Sequence, residues 1–171
     1  EICACLVGSE MCIRDSDSMK QKLTSPGVAR FTKALLDILF YAGIAVTVSL
    51  PWTMRWAARF YPSFAARLTL HTALFLLAGV CAVLILFELR RMLKTVVSGD
   101  CFVRQNVSSL CRMAYYAFAI AALMAVRLIV LFTPGMLAIV CVFLLAGLFS
   151  LVLAQVFDRA VSYKQDNDLT I

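Results

Sequence analysis

The sequence predicts an all-α fold, a four-transmembrane-helix bundle with both termini on the cytoplasmic side (N-in/C-in). Three observations carry this. The chain is 63% hydrophobic with a mean hydropathy of +0.90. Its apolar residues gather in four stretches, at about 34–50, 68–87, 114–132 and 136–156. A hydrocarbon core about 30 Å thick takes roughly 17–25 helical residues to cross, and each stretch has that length. Backbone groups in lipid must bond internally, so each stretch is expected to be helical. The third observation is a lopsided distribution of Lys and Arg around the four spans.

Residues 1–18 stand apart from this plan. The run Glu10-Met11-Cys12-Ile13-Arg14-Asp15-Ser16 is what an in-frame reading of a transposase-type sequencing adaptor encodes, and Leu6 to Ser9 fit its continuation. The segment therefore reads as a non-native scar and leaves the fold argument. Met19 becomes the expected start, and 19–171 a single membrane domain. Setting 1–18 aside removes one base (Arg14) and four acids (Glu1, Glu10, Asp15, Asp17), raising the formal charge of +6 by three units. Cys3, Cys5 and Cys12 go with it.

The first span is long, has no small-residue cleavage site and runs into Pro51-Trp52, so it reads as a retained span rather than a signal peptide. In the loop that follows, Trp52, Trp56, Phe60 and Phe64 recur every fourth residue beside Arg55 and Arg59. That pattern predicts a short helix lying at the outer interface, aromatics in lipid and guanidinium groups among headgroups, broken at Pro62. The second span continues past the membrane. Leu89, Met92, Leu93, Val96 and Val97 form an apolar stripe opposite Arg90, Arg91 and Lys94. Ser98-Gly99-Asp100 supplies a helix stop, with Gly99 suited to the left-handed C-cap. Phe102, Val103, Val107, Leu110 and Met113 then repeat at helical spacing into span three. The expectation is an amphipathic cytoplasmic helical hairpin between spans two and three. Thr133-Pro134-Gly135 leaves room only for a tight antiparallel turn before span four.

Charge sets the orientation. Lys20, Lys22, Arg30 and Lys33 precede span one. Arg90, Arg91, Lys94, Arg104 and Arg112 lie between spans two and three, and Arg159 and Lys164 follow span four. These eleven face one side; Arg55, Arg59 and Arg67 face the other. The heavier side is expected to be cytoplasmic. Because the bases are spread over three segments, they predict topology and attraction to the lipid bilayer, with no direct nucleic-acid binding.

The residues around the hairpin carry a family resemblance. Leu89-Arg90-Arg91-Met92-Leu93-Lys94, Gly99, Phe102, Asn106 and Leu110, together with the ending Asn167-Asp168-Leu169-Thr170-Ile171, resemble the DUF2975 family of small bacterial four-helix membrane proteins of unknown function. The likeness covers about 19–171 and suggests a complete C-terminus. Three positions depart from the family pattern: Cys101 replaces a usual proline, Ala114 falls near a frequent glycine, and Cys111 sits in a usually basic neighbourhood. The resemblance implies a multi-pass protein of the bacterial cytoplasmic (inner) membrane. Since family members are often encoded beside a small helix-turn-helix regulator, it also implies a regulatory membrane partner of such a transcription factor. Arg90, Arg91, Lys94, Phe102, Asn106 and Leu110 are the candidate partner-binding residues, and a homo-oligomer is a further partner to consider. The alternative is a small transport or export accessory, or a self-immunity protein acting within the bilayer.

Charge inside a span is a functional-site candidate by default, which singles out Asp37, His71 and Arg127. Asp37 lies about 5 Å into span one and Arg127 about 20 Å into span three, counted from the same side at about 1.5 Å per residue. Their depths disagree, so Asp37 is matched instead to Lys33, Arg90 or Arg91. Arg127 is expected to snorkel toward the outer boundary. His71 shares its depth, which makes a proton or anion relay conceivable; a helix–helix hydrogen bond is the commoner use of a lone membrane histidine. Cys81 and Cys141 fall within spans, where a thiol acts as a small apolar group. Cys101 and Cys111 have neither CxxC spacing nor a nearby histidine, so no zinc site is expected, and surface acylation or redox chemistry is the functional alternative to inert thiols. Asp37 and Glu88 stand isolated among bases. With no phosphate loop, dinucleotide fingerprint or HExxH, the expectation is a protein without cofactor and without enzymatic activity.

Overall fold

The computed structural model describes residues 26–60, 67–97, 103–130 and 132–168, all four segments helical. The helices are α1 (Pro26–Ala57), α2 (Leu68–Val97), α3 (Arg104–Val130) and α4 (Pro134–Asp168). Two compact units divide the chain, Glu1–Leu35 and Leu36–Ile171. Of the first, the described residues 26–35 are the opening turns of α1, led by Pro26, a residue whose missing N–H costs nothing at the first helical position. The second holds the rest of α1 and the other three helices.

Each helix is long and apolar enough to cross a membrane. With 32, 30, 27 and 35 residues, they measure about 48, 45, 40 and 52 Å at about 1.5 Å per residue. All exceed the roughly 30 Å of a hydrocarbon core, so the helices overrun the predicted spans. The bundle has two ends. One carries the last turns of α2 and α4 and the first of α3, and is called the collar end below. The other carries the end of α1, the start of α2 and the α3–α4 connection, the turn end.

Two sequence expectations need correcting. No separate interfacial helix follows span one, because α1 runs through Pro51 and carries Trp52 and Trp56 as its own last turns. A proline inside a helix removes one backbone hydrogen bond, and membrane helices tolerate that loss. Around it, hydroxyls bond back to the helix: Ser49 to the Val46 carbonyl at 2.9 Å and Thr53 to that of Leu50 at 3.0 Å. The helix then tightens, with Arg59 N donating to Trp56 O and Phe60 N to Ala57 O, the shorter-range bonds of a 3₁₀ turn. Pro62 and Phe64 lie outside the described residues, as do the helix stop at 98–100, Cys101 and Phe102. The second correction is at the α3–α4 turn. Pro134 and Gly135 are already helical, and Thr133 closes the start of α4 by accepting from Met136 N at 3.0 Å and Leu137 N at 3.4 Å.

Helix α3 is the centre of the bundle. Its buried residues, Asn106, Ser109, Leu110, Ala114, Ala117, Ile120, Ala121, Met124 and Arg127, recur every three or four positions along one face. Lipid tails are as apolar as leucine, so helices in a membrane associate through close packing rather than hydrophobic burial. The small residues in the stripe permit that closeness. Against α4, Gly147 gives Phe118 its place: a Cβ on Gly147 would meet the ring at 2.9 Å. Ser150 adds a buried bond, its hydroxyl donating to the Leu110 carbonyl at 2.8 Å. Ala78 of α2 packs with Ile120 and Met124 of α3, flanked by Phe75, Ile85, Leu123 and Phe143. By contrast α1 and α4 turn many large side chains outward, among them Tyr41, Val48, Leu145 and Phe149, the surface that a bilayer covers.

Candidate functional site

At the collar end the polar side chains of three helices interlock. Glu88 of α2 is 4% exposed and pairs through Oε1 with Arg112 Nε of α3 at 3.2 Å. One turn on, Arg91 donates from Nε and an Nη to the Gln105 side-chain carbonyl at 2.7 and 3.2 Å, with the amide turned to face it. A further turn out, Thr95 Oγ1 and Asn106 Oδ1 are 2.8 Å apart, the hydroxyl donating, and Asn106 is fully enclosed. Arg104, at the start of α3, donates to Gln165 of α4 at 3.3 Å. The antiparallel register across the 98–103 connection makes these meetings: as numbers rise along α2 they fall along α3. Two buried atoms of the collar, Glu88 Oε2 and Ser109 Oγ, have no hydrogen-bond partner among the described residues. Both atoms lie in the interior, where an unmet hydrogen bond costs stability.

Helix α1 joins at Asp37, whose carboxylate meets Arg90 at 2.6 Å. Depth leaves Lys33, Arg90 and Arg91 as partners for Asp37, and of these the structure shows Arg90. Arg90 also lies over the rings of Phe40 (4.6 Å) and Tyr41 (5.6 Å), so α1 holds the guanidinium by charge and by two π faces. The ion pair is partly open, the side chains being 23% and 35% exposed. Its energetic worth is small, and its effect is to fix where α1 meets α2.

The partner-binding candidates separate accordingly. Asn106 and Leu110 face the interior and hold the collar together; Arg90 is engaged with α1; Arg91 and Lys94 are exposed at the surface. Phe102 lies outside the described residues. Sequence reasoning treated Glu88 as isolated, and so missed its pairing with Arg112. The signal was present in the register across the connection.

Toward the turn end a second polar cluster is enclosed. Arg127 is 2% exposed, so it does not snorkel: its guanidinium lies 4.6 Å over the centre of the Phe75 ring. The reason is rotational, since Arg127 continues the inward stripe of α3. His71, one turn before Phe75 on α2, is equally buried and within electrostatic reach of Arg127. The structure thus brings His71 and Arg127 toward one end of the bundle, with Arg127 over the Phe75 ring, while Asp37 sits at the opposite end. Cys81 and Cys111 are half-buried thiols and Cys141 is exposed, all free. Among the described residues no group of His, Cys, Asp and Glu could hold a metal ion.

Four long apolar antiparallel helices, with ionisable groups gathered at one end and enclosed near the other, define a multi-pass membrane protein. Residues 52–171 match the family model described as "Protein of unknown function (DUF2975)", and the chain belongs to that family. The match takes in the collar residues of α2, α3 and α4 together with His71 and Arg127, and leaves out Asp37. No curated protein and no solved structure matches the chain.

Proposed function

We propose that the collar is a docking platform on the cytoplasmic face of a bacterial inner membrane, through which the protein holds a soluble regulator. The role is binding and not catalysis. The observation that carries the reading is the side-chain lattice at the collar end. Glu88–Arg112, Arg91–Gln105, Thr95–Asn106 and Arg104–Gln165 fasten α2, α3 and α4 into one polar stub. Fixed helices present a surface at little ordering cost on binding. Arg91 and Lys94 are exposed on that surface, and Arg104 stands at its edge. Such a basic face complements an acidic partner surface. The charge count across the spans supports placing it in the cytoplasm. Family resemblance supplies the class of partner, a helix-turn-helix regulator that the membrane protein sequesters or releases.

Photo-crosslinking from position 94 of the full chain in native membranes, with mass spectrometry of the captured species, tests this. Capture of a DNA-binding protein, lost in a variant carrying Arg91→Glu, is the expected result. Capture of lipids and membrane proteins only, with the bundle intact, contradicts it.

A further inference from the structure

We propose that the seam between α1 and α2 is a binding site for one anionic phospholipid, its phosphate on Arg55 and one acyl chain lying along the seam. The inference is independent of the collar, which lies at the other end of the bundle.

The seam holds one cavity at its outer mouth, and a second lies deeper, at the centre of the bundle. The outer one, of about 620 Å³, lies at the turn end and is lined by Pro51, Arg55, Thr69, Thr72, Leu76 and Leu77 among others. The inner one, of about 310 Å³, lies where Thr47 and Leu50 of α1, Gly79 and Val83 of α2, Met124 of α3 and Phe143 of α4 meet, and α1 approaches α2 closely between the two, at Thr47 and Gly79. Both fall in or near the size range of ligand pockets. From Leu68 to Leu77 the outer cavity follows nine residues of α2, or about 14 Å at about 1.5 Å per residue. One leaflet of the hydrocarbon core is about 15 Å deep, so the seam has the reach of an acyl chain.

Polarity is graded along it. At the mouth stand the Arg55 guanidinium and the hydroxyls of Thr69 and Thr72; Thr72 donates to the Leu68 carbonyl at 2.7 Å and keeps its lone pairs. Below the mouth the walls of the outer cavity are aliphatic, with Leu68, Ala73, Leu76 and Leu77. The inner hydroxyl, Thr47 Oγ1, is already committed to the Gly43 carbonyl at 2.8 Å. A free phosphate ion would find no use for such walls, whereas a lipid uses both ends.

Charge names the headgroup. From Ile38 to Phe87, and again from Met113 to Phe157, the sequence contains no Asp or Glu. Among the described residues Arg55, Arg59 and Arg67 therefore have no carboxylate at their end of the bundle, which leaves their charge open to an anion from the membrane. Trp52, Trp56 and Phe60 are largely exposed beside Arg55, and Trp56 packs edge-on to Phe60 at 5.0 Å. Exposed aromatics of this kind settle at headgroup level, which sets Arg55 at phosphate depth. A smaller cavity of about 230 Å³ between Trp52, Trp56, Arg55 and Arg59 adjoins the mouth, leaving space for the remainder of the headgroup.

Native mass spectrometry of the full chain in detergent, titrated with phosphatidylglycerol or with phosphatidylcholine of the same chains, tests the site. One phosphatidylglycerol retained per protein, favoured about tenfold or more, is expected, because both lipids offer Arg55 a phosphate and only phosphatidylcholine brings a further cation beside Arg55, Arg59 and Arg67. Arg55→Gln should abolish the preference while leaving residual lipid retention, and Arg159→Gln, at the collar end, should leave it intact. Ala73→Phe, which fills the outer cavity, should lower retention of both lipids. Arg55 is exposed, so its substitution tests the idea even where Ala73→Phe fails to fold. Equal retention of the two lipids, an unchanged preference in Arg55→Gln, or displacement by inorganic phosphate alone would overturn the proposal.

Discussion

The Arg127 guanidinium lies 4.6 Å from the centre of the Phe75 ring, in a site from which both lipid and water are nearly excluded. A desolvated cation over an aromatic face is stabilised by up to about 2 kcal/mol. The pair therefore ties α2 to α3 near the turn end. Arg127→Leu should insert normally and melt at lower temperature in detergent. A double-mutant cycle with Phe75→Leu should return a coupling of about 1–2 kcal/mol. Additive effects of the two substitutions would show that the ring is only a neighbour of the charge.

Glu88 and Arg112 predict an asymmetry. The Glu88 side chain is 6% exposed and that of Arg112 43% exposed. Deleting Arg112 strands a buried carboxylate, and deleting the charge on Glu88 releases an arginine that can turn to water. Arg112→Ala should cost about 2 kcal/mol or more, Glu88→Gln under about 1 kcal/mol. Equal losses, read from thermal melts of the two variants, would mean that Glu88 is not held in the interior.

Gly147 predicts a steric effect. Its hydrogen sits where a Cβ would be 2.9 Å from the Phe118 ring. Gly147→Val should push α4 from α3 and destabilise the bundle by about 1–3 kcal/mol. Adding Phe118→Leu should recover part of the loss. No recovery would place the cost of the valine elsewhere.

Much of this architecture can be read from the chain, because length and hydropathy are one-dimensional properties. So is depth, which narrows the partners of Asp37 to Lys33, Arg90 and Arg91 without choosing among them. Rotation about a helix axis is a different matter. Spans two and four carry few polar groups, Thr69, His71 and Thr72 in one and Ser150 and Gln155 in the other, so little marks which way they turn, and nothing in the sequence sets Phe75 beneath Arg127. Depth alone sent Arg127 to the membrane boundary, when its place in the α3 stripe with Ile120 and Met124 turns it inward. Pro51 misled for the opposite reason: a strong local signal for a helix end is overridden in a helix that has the rest of a membrane crossing to hold it. The Glu88–Arg112 pair was legible in principle, since antiparallel counting across a six-residue connection from Ser98 to Val103 brings 88 opposite 112 or 113.

The central claim is that the collar faces the cytoplasm, where a soluble partner can reach Arg91 and Lys94. Single cysteines at position 91 and at position 59, each in a chain otherwise free of cysteine, can be treated with a membrane-impermeant maleimide in cells whose outer barrier has been opened and inner membrane left intact. The account predicts labelling at position 59, with position 91 reacting only after the inner membrane is disrupted. Labelling at position 91 in intact inner membranes would put the collar on the outer face and contradict the docking platform outright.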